Sequence, residues 1–203
     1  VLKRLPGYLS YLKSLPEGTA TYISATALAN ALGMGEVQVR KDLAMVSDGG
    51  RPKIGYLRES LIEDIEQFLG YDNTTDAVLI GAGKLGQALL GYIGFGAYGL
   101  NILAAFDAKP FAAQTEDGKP VYHISQLESF CREHKILMGI ITVPVVHAQQ
   151  VCDQLIACGI KAVWTFAPVH LDVPDNILVQ NENMATSLAL LSMHLQAQIK
   201  EKK

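Results

Sequence analysis

Apolar positions in the first third of the chain recur at helical spacing, whereas those further on come in short runs bounded by glycine and proline. Leu5, Leu9, Leu12 and Leu15 mark one stripe, which predicts a first helix over 7–15 that Pro16 stops. Ser24 or Thr26 caps a second helix carrying Leu28, Ala29 and Leu32, and Gly33-Met34-Gly35 supplies a tight turn. A third helix over 36–46 puts Val39, Leu43 and Val46 on one face and sends Gln38, Lys41 and, on the flank, Arg40 outward. Helix, short glycine-containing turn and helix with outward polar and basic residues is the helix-turn-helix plan. The segment 48–56 has the turn chemistry of a hairpin tip carrying Arg51 and Lys53, read as a wing that touches a nucleic-acid backbone or minor groove. An amphipathic connecting helix over 57–69 and a polar, glycine-containing boundary at 70–75 follow.

Beyond 75 the pattern changes to buried strands alternating with helices, which predicts an α/β body with a doubly wound parallel sheet of Rossmann type. The apolar strand 77–80 runs straight into Gly81-Ala82-Gly83-Lys84-Leu85-Gly86 and a helix over 87–92. In that context Gly81 permits a tight turn, Gly83 lets backbone approach a pyrophosphate, and Gly86 lets the helix pack closely on the strand. A second strand, 101–106, ends at Asp107, about twenty residues after the glycines, where a ribose-binding acid belongs. An acid there accepts from a 2′-hydroxyl and repels a 2′-phosphate, so NAD(H) is expected over NADP(H). Strands over 138–143 and 162–166, with a helix over 148–158 between them, end in Thr142-Val143-Pro144 and Phe166-Ala167-Pro168, which should line the cofactor crevice.

Charge sharpens this division. Residues 1–58 carry eight basic side chains against four acidic ones, a net of +4, while the remainder carries nine against sixteen, a net of −7. A basic head on an acidic body is the layout expected when only the head meets phosphate. The absence of any apolar run of about 20 residues, and of a hydrophobic core behind the starting Val-Leu-Lys-Arg, fits a cytoplasmic protein. Cys131, Cys152 and Cys158 show no Cys-x-x-Cys spacing and read as buried, inert thiols, with an oxidation sensor as the alternative. A small NAD-dependent oxidoreductase is the rival class for the body. No Tyr-x-x-x-Lys pair occurs, the tail after the last strand is short for a substrate domain, and His123, His147 and His170 are isolated. No catalytic residue and no metal site is expected.

The ordered series Arg4-Leu5-Pro6, Gln38-Val39-Arg40-Lys41-Asp42-Leu43, Gly55-Tyr56, Gly81-Ala82-Gly83-x-Leu85-Gly86, Gly94-Phe95, Ala104-Ala105-Phe106-Asp107, Pro120-Val121-Tyr122-His123-Ile124, Val143-Pro144, Gly159-Ile160-Lys161 and Phe166-Ala167-Pro168-Val169 resembles the signature of the Rex family of redox-sensing repressors. The resemblance implies a winged-helix DNA-binding domain at 1–70, an NAD(H)-binding Rossmann domain at 75–182, and a C-terminal helix at 183–203 exchanged between the subunits of a homodimer. It also implies that Gln38, Arg40, Lys41, Arg51, Lys53 and Tyr56 meet an inverted-repeat operator, that the bound NAD(H) is sensed, and that NADH releases the DNA. The nicotinamide pocket is expected near Tyr92, Val143 and Phe166, with Met184 of the partner subunit close by. Several positions depart from the family pattern: Ser10 stands where an Arg is common, Asn183-Met184 where Asp-Phe is common, and Ala44-Met45-Val46-Ser47-Asp48 where the stretch is usually aromatic and glycine-rich. A divergent member with a weakened NADH response is therefore a further alternative.

Overall fold

The structure, a computed structural model, describes residues 1–203 apart from 17, 19, 20, 72, 116, 202 and 203. Asp72 of the boundary segment and Lys202 and Lys203 of the C-terminal segment therefore lie outside the described residues. Contacts divide the chain into a head, residues 1–74 with 97–99, and a body, residues 75–96 with 100–203.

In the head, α1 (Leu5–Ser14) begins two residues before the predicted start. Pro6 fits the first turn, where its missing N–H is not needed, and the chain leaves the helix at Leu15 in an extended conformation ahead of Pro16. A two-residue strand, β1 (Tyr22–Ile23), leads into α2 (Ala25–Leu32). Of the two candidate caps it is Ser24 that acts: its Oγ accepts from the Ala27 N–H at 3.0 Å, while Thr26 lies inside the helix. Gly33, at φ 62°, closes α2 in the left-handed conformation, and α3 (Glu36–Val46) follows with the predicted bounds. The wing has the hairpin tip read in the sequence, and its base is closed from further upstream. Arg51 and Gly55 exchange backbone hydrogen bonds around the tip, but β2 (Tyr56–Leu57) pairs antiparallel with β1 upstream, Tyr22 opposite Leu57. The predicted connecting helix, α4 (Arg58–Leu69), is a core element of the head, because its Leu61 and Ile65 are fully buried with Leu5, Tyr8, Leu28, Val39 and Leu43. Each large aliphatic side chain withdrawn from water here contributes about 1.5–3 kcal/mol.

The body is built on one six-stranded sheet. In chain order its elements are β3 (Thr75–Ile80), α5 (Lys84–Leu90), a short 3-10 helix (Ile93–Tyr98), β4 (Leu100–Asp107), β5 (Val121–His123), α6 (Leu127–His134), β6 (Met138–Ile141), α7 (Val145–Ala157), β7 (Ala162–Thr165), β8 (Leu178–Asn181) and α8 (Met184–Glu201). The strands are all parallel in the order β5-β4-β3-β6-β7-β8. Side-chain alternation on β3 explains the two layers. Val78 and Ile80 face a core shared with Leu127 and Cys131 of α6 and Ala148, Cys152 and Leu155 of α7, and Ala77 and Leu79 face one shared with Leu90 of α5. The chain winds from β3 out to β5 and returns to the other side of β3 for β6, so the order reverses between β3 and β6, which is where such sheets open a crevice.

Candidate functional site

At that switch point the glycines act as their spacing predicts. Gly81 has φ 103°, and a Cβ on it would stand 2.9 Å from the Thr142 carbonyl carbon, so only glycine lets the β3 and β6 loops meet. Thr142 ties them together: its Oγ1 donates to the Gly81 carbonyl oxygen at 2.7 Å and its N–H donates to Ile80 at 2.9 Å. Gly83 precedes α5, and a Cβ there would meet nothing within 4 Å. At Gly86 a Cβ would lie 2.0 Å from the Gly81 carbonyl oxygen. Asp107, at the end of β4, has both carboxylate oxygens braced, Oδ2 by the Ala82 N–H and Oδ1 by the Lys109 N–H, each at 2.8 Å. A cavity of about 360 Å³ opens here.

Six of the residues singled out in the sequence line that cavity: Gly81, Gly83, Asp107, Thr142, Val143 and Pro144. It is also walled by Ile124, His147, Gln150 and Gln154, which sequence reasoning did not assign to a cofactor. The signal for the last three was their spacing of three and four on one face of α7. The other predicted residues lie outside it. Ala82, Gly86 and Ala167 are buried in the fold, Leu85 is half-buried, and Lys84 and Pro168 are exposed. Tyr92 and Phe166 end a chain of aromatic rings in which Tyr92 meets Phe95 at 4.9 Å, Phe95 meets Trp164 at 5.7 Å, and Trp164 meets Phe166 at 4.7 Å. Met184 opens α8 and is exposed. Val143 lines the cavity, while Tyr92 and Phe166 of the same chain belong to the row of aromatic rings.

In the head, Arg40 and Lys41 stand exposed on α3, with Arg40 paired to Glu36 one turn earlier. Gln38 is exposed, as expected, and its amide also donates to Asp42 Oδ1 at 2.9 Å. Asp42 is fully buried and is the centre of a network that sequence reasoning missed. Arg4 grips it from Nε at 2.7 Å and Nη2 at 2.9 Å, and the Tyr8 hydroxyl donates at 2.8 Å. The Arg4 hydrogen bonds, with those from Tyr8 and Gln38, outweigh burial and hold this carboxyl well below the usual carboxylate range. Charge-assisted bonds of this kind fasten α3 to α1 from beneath its outward face. Arg51 and Lys53 are exposed on the wing, Lys53 in the left-handed conformation at φ 65°, and Tyr56 is half-buried with its ring against Gly50.

Among the described residues no group of three or more His, Cys, Asp or Glu is placed to hold a metal, and no helix is long and apolar enough to cross a membrane. His123 is engaged locally, its Nδ1 facing Ser125 Oγ at 2.8 Å.

Fold and site together define a class: a helix-turn-helix head with a β-wing, joined to a body whose crevice has the glycines and the acid of a dinucleotide-binding fold. Known proteins agree with both halves. Residues 1–44 match the family described as "Putative DNA-binding protein N-terminus", and residues 72–169 match the CoA binding domain family. The redox-sensing transcriptional repressor Rex of Porphyromonas gingivalis is 40% identical over 191 residues, covering 94% of this chain and 88% of that protein. The Rex repressor of Treponema denticola is 40% identical over 193 residues, covering 95% and 92%. Among solved structures, RSP in complex with β-NAD+ and operator DNA superposes with a TM-score of 0.89 at 34% identity, covering 99% of this chain and 93% of that one. RSP in complex with β-NADH gives 0.86 at 33%, covering 100% and 96%. The chain belongs to the Rex family of redox-sensing transcriptional repressors, regulators rather than enzymes.

Proposed function

We propose that this protein binds NAD(H) at the carboxyl edge of its parallel sheet and operator DNA through its head, as a cytoplasmic homodimer that NADH releases from an inverted repeat. The observation that carries the cofactor half is the cavity in which Asp107 meets the open backbone at Gly81 and Gly83. In this reading Asp107 accepts from the adenosine ribose, Gly81 and Gly83 admit the pyrophosphate, and Ile124, His147 and Gln150 border the adenine. Thr142, Val143 and Pro144 continue the crevice toward the nicotinamide, which Tyr92, Phe166 and the partner subunit's Met184 enclose. Arg40, Lys41, Arg51 and Lys53 supply the cations for phosphates and base edges. Gln38, held by one amide N–H on Asp42, offers its carbonyl oxygen and second N–H to a base. Dimerisation rests on α8, whose Leu188, Leu191, Leu195 and Ile199 are all exposed.

NADH and NAD+ differ at the nicotinamide by one hydride and one charge. NADH releases DNA only by binding the DNA-incompetent arrangement more tightly, and the coupling runs equally in both directions. A weakened response is the second reading, favoured by Ser10, which has no charge to offer, and by Asn183, whose Oδ1 accepts from the Thr186 N–H at 3.0 Å at the start of α8. Titration of a palindromic Rex-type duplex at fixed salt, with NAD+ or NADH and with Arg40→Ala, tests the proposal. Binding that requires Arg40 and falls with NADH supports it. Arg40-dependent binding indifferent to NADH leaves the second reading, and no binding overturns the DNA role.

A further inference from the structure

A carboxylate has four acceptor positions, and the head fills all four on Asp42. Its Oδ2 accepts from Arg4 Nε at 2.7 Å and from the Tyr8 hydroxyl at 2.8 Å, and its Oδ1 accepts from Arg4 Nη2 and from the Gln38 amide, each at 2.9 Å. Arg4 and Tyr8 reach it from the α1 side, whereas Gln38 lies one turn before it on α3. Asp42 and Tyr8 are fully buried, while Gln38 is exposed beside Arg40 and Lys41. An ionised carboxylate only accepts, so it takes the Nε2 end of the amide and refuses the Oε1 end. Arg4, Tyr8 and Gln38 together keep Asp42 ionised, so the direction in which the Gln38 amide faces is fixed. Turning that amide over would set two oxygens against each other and leave a buried acceptor position empty.

We propose that Asp42 is a positioning residue that locks Gln38 as the reader of one adenine in the major groove of each operator half-site. The proposal rests on the operator-binding role of the head. With one N–H on Asp42, the amide retains its second N–H and its carbonyl oxygen. Adenine is the base whose major-groove edge takes both: N7 accepts the N–H, and the N6 amino group donates to Oε1. Guanine presents two acceptors, N7 and O6, to an amide with one donor left, and Oε1 would oppose O6. Thymine and cytosine each complement only one of the two groups. A glutamine without this lock is free to turn and offer both N–H groups to guanine. Asp42, itself out of reach of DNA, therefore sets the selectivity through Gln38, and Arg4 and Tyr8 act one step further back by holding Asp42.

The test uses the full chain with NAD+ and palindromic Rex-type duplexes altered one position at a time, at fixed salt. Wild type should prefer adenine at one position of the half-site, and guanine or 7-deazaadenine there should weaken binding on the order of tenfold. Gln38→Ala should lose that preference, and Asp42→Asn, whose side chain can donate as well as accept, should lose the discrimination of adenine from guanine with Gln38 still present. Positions whose preference depends on Arg40 serve as the internal reference. An Asp42→Asn chain that loses preference at every position, or that discriminates as wild type does, overturns the proposal, as does a wild-type chain with no preference that depends on Gln38. A measurement on the wild-type chain without DNA covers an Asp42→Asn chain that fails to fold. The Gln38 side-chain amide protons should exchange with water more slowly than those of Gln67, exposed on α4, and equal rates overturn the lock. A wild-type chain that binds no duplex overturns the operator reading, and this one with it; Arg40-dependent binding without the Gln38 preference overturns this one alone.

Discussion

Gly83 and Gly86 stand three residues apart in one glycine motif, yet the structure assigns them opposite sensitivities. A Cβ at Gly86 would lie 2.0 Å from the Gly81 carbonyl oxygen and 3.0 Å from Leu79 Cδ2. Non-bonded carbon and oxygen atoms need more than 3 Å, so in Gly86→Ala the start of α5 must retreat by roughly 1 Å from the turn it packs on. Leu79 can give way but the nearer obstacle is backbone, which cannot swing aside as a side chain does, and this puts the destabilisation near the top of the overpacking range, about 2–3 kcal/mol. Gly83 has φ −70° and ψ −171°, which alanine adopts freely, and its Cβ would meet nothing. Gly83→Ala should therefore leave the body as stable or about 0.4–1 kcal/mol more so, by restricting the unfolded chain. Its methyl, however, stands where the pyrophosphate approaches, and NADH affinity should fall on the order of tenfold, about 1.4 kcal/mol. Trp164, the single tryptophan, lies on β7 of the body and reports its urea unfolding. Gly86→Ala should lower the midpoint by about 1 M while Gly83→Ala does not. NADH binding, followed by energy transfer from Trp164, should fall in both. A Gly86→Ala chain as stable as wild type, or a Gly83→Ala chain with undiminished NADH affinity, refutes the packing argument.

Lys41→Ala should weaken DNA binding nearly uniformly across sequences and reduce the slope of log affinity against log salt by about one unit, read by anisotropy at several salt concentrations. Asp42 titrates below its unfolded value, so its stabilisation of the head is complete above the ordinary carboxylate range and is lost as pH falls through the folded value. Asp42→Asn should destabilise the head at neutral pH and flatten its acid sensitivity, measured by circular dichroism across an acid titration; an unchanged acid profile contradicts the assignment. Leu188→Glu with Leu191→Glu, both exposed on α8, should convert a dimer to a monomer in light scattering without loss of body stability. If NADH lowers DNA affinity by some factor, operator DNA must lower NADH affinity by the same factor. Ser10→Arg with Asn183→Asp should raise both factors together if those positions limit the response.

Much of the fold is legible because it rests on local chemistry. Ser24 ahead of an apolar helix, Gly33 behind it, and Val39 and Leu43 one turn apart specify α2 and α3 without tertiary help. What escapes does so for definite reasons. β1 has two residues, too few for any period to register, and it takes its conformation from pairing with β2. It pairs across the base of the wing, a partnership that the turn chemistry of 48–56 does not mark. β8 is exposed at all four positions on the sheet edge, so no apolar alternation marks it. α4 has the amphipathic pattern of a linker helix equally well as that of a core helix, and only the complementary surface of α1 decides between them.

The site divides along the same line. The glycines and Asp107 are readable because each does its work through backbone shape or strand register, which sequence spacing encodes. Asp42 is not readable in that way, since within α3 it is one more charged residue on a helix with an exposed basic face. Its burial depends on Arg4 and Tyr8, which stand one turn apart on α1 and reach it across 38 and 34 positions of chain. The same network explains Gln38. Helical periodicity sets where a side chain leaves the backbone but not where a flexible amide comes to rest, and a buried carboxylate within reach is a stronger acceptor than water. Arg40 and Lys41 have no such acceptor beneath them, and Arg40 pairs only with exposed Glu36, a contact worth little in water that a phosphate can displace. The cations on α3 are therefore free to meet DNA, while Gln38, exposed beside them, has part of its amide already committed to the buried charge.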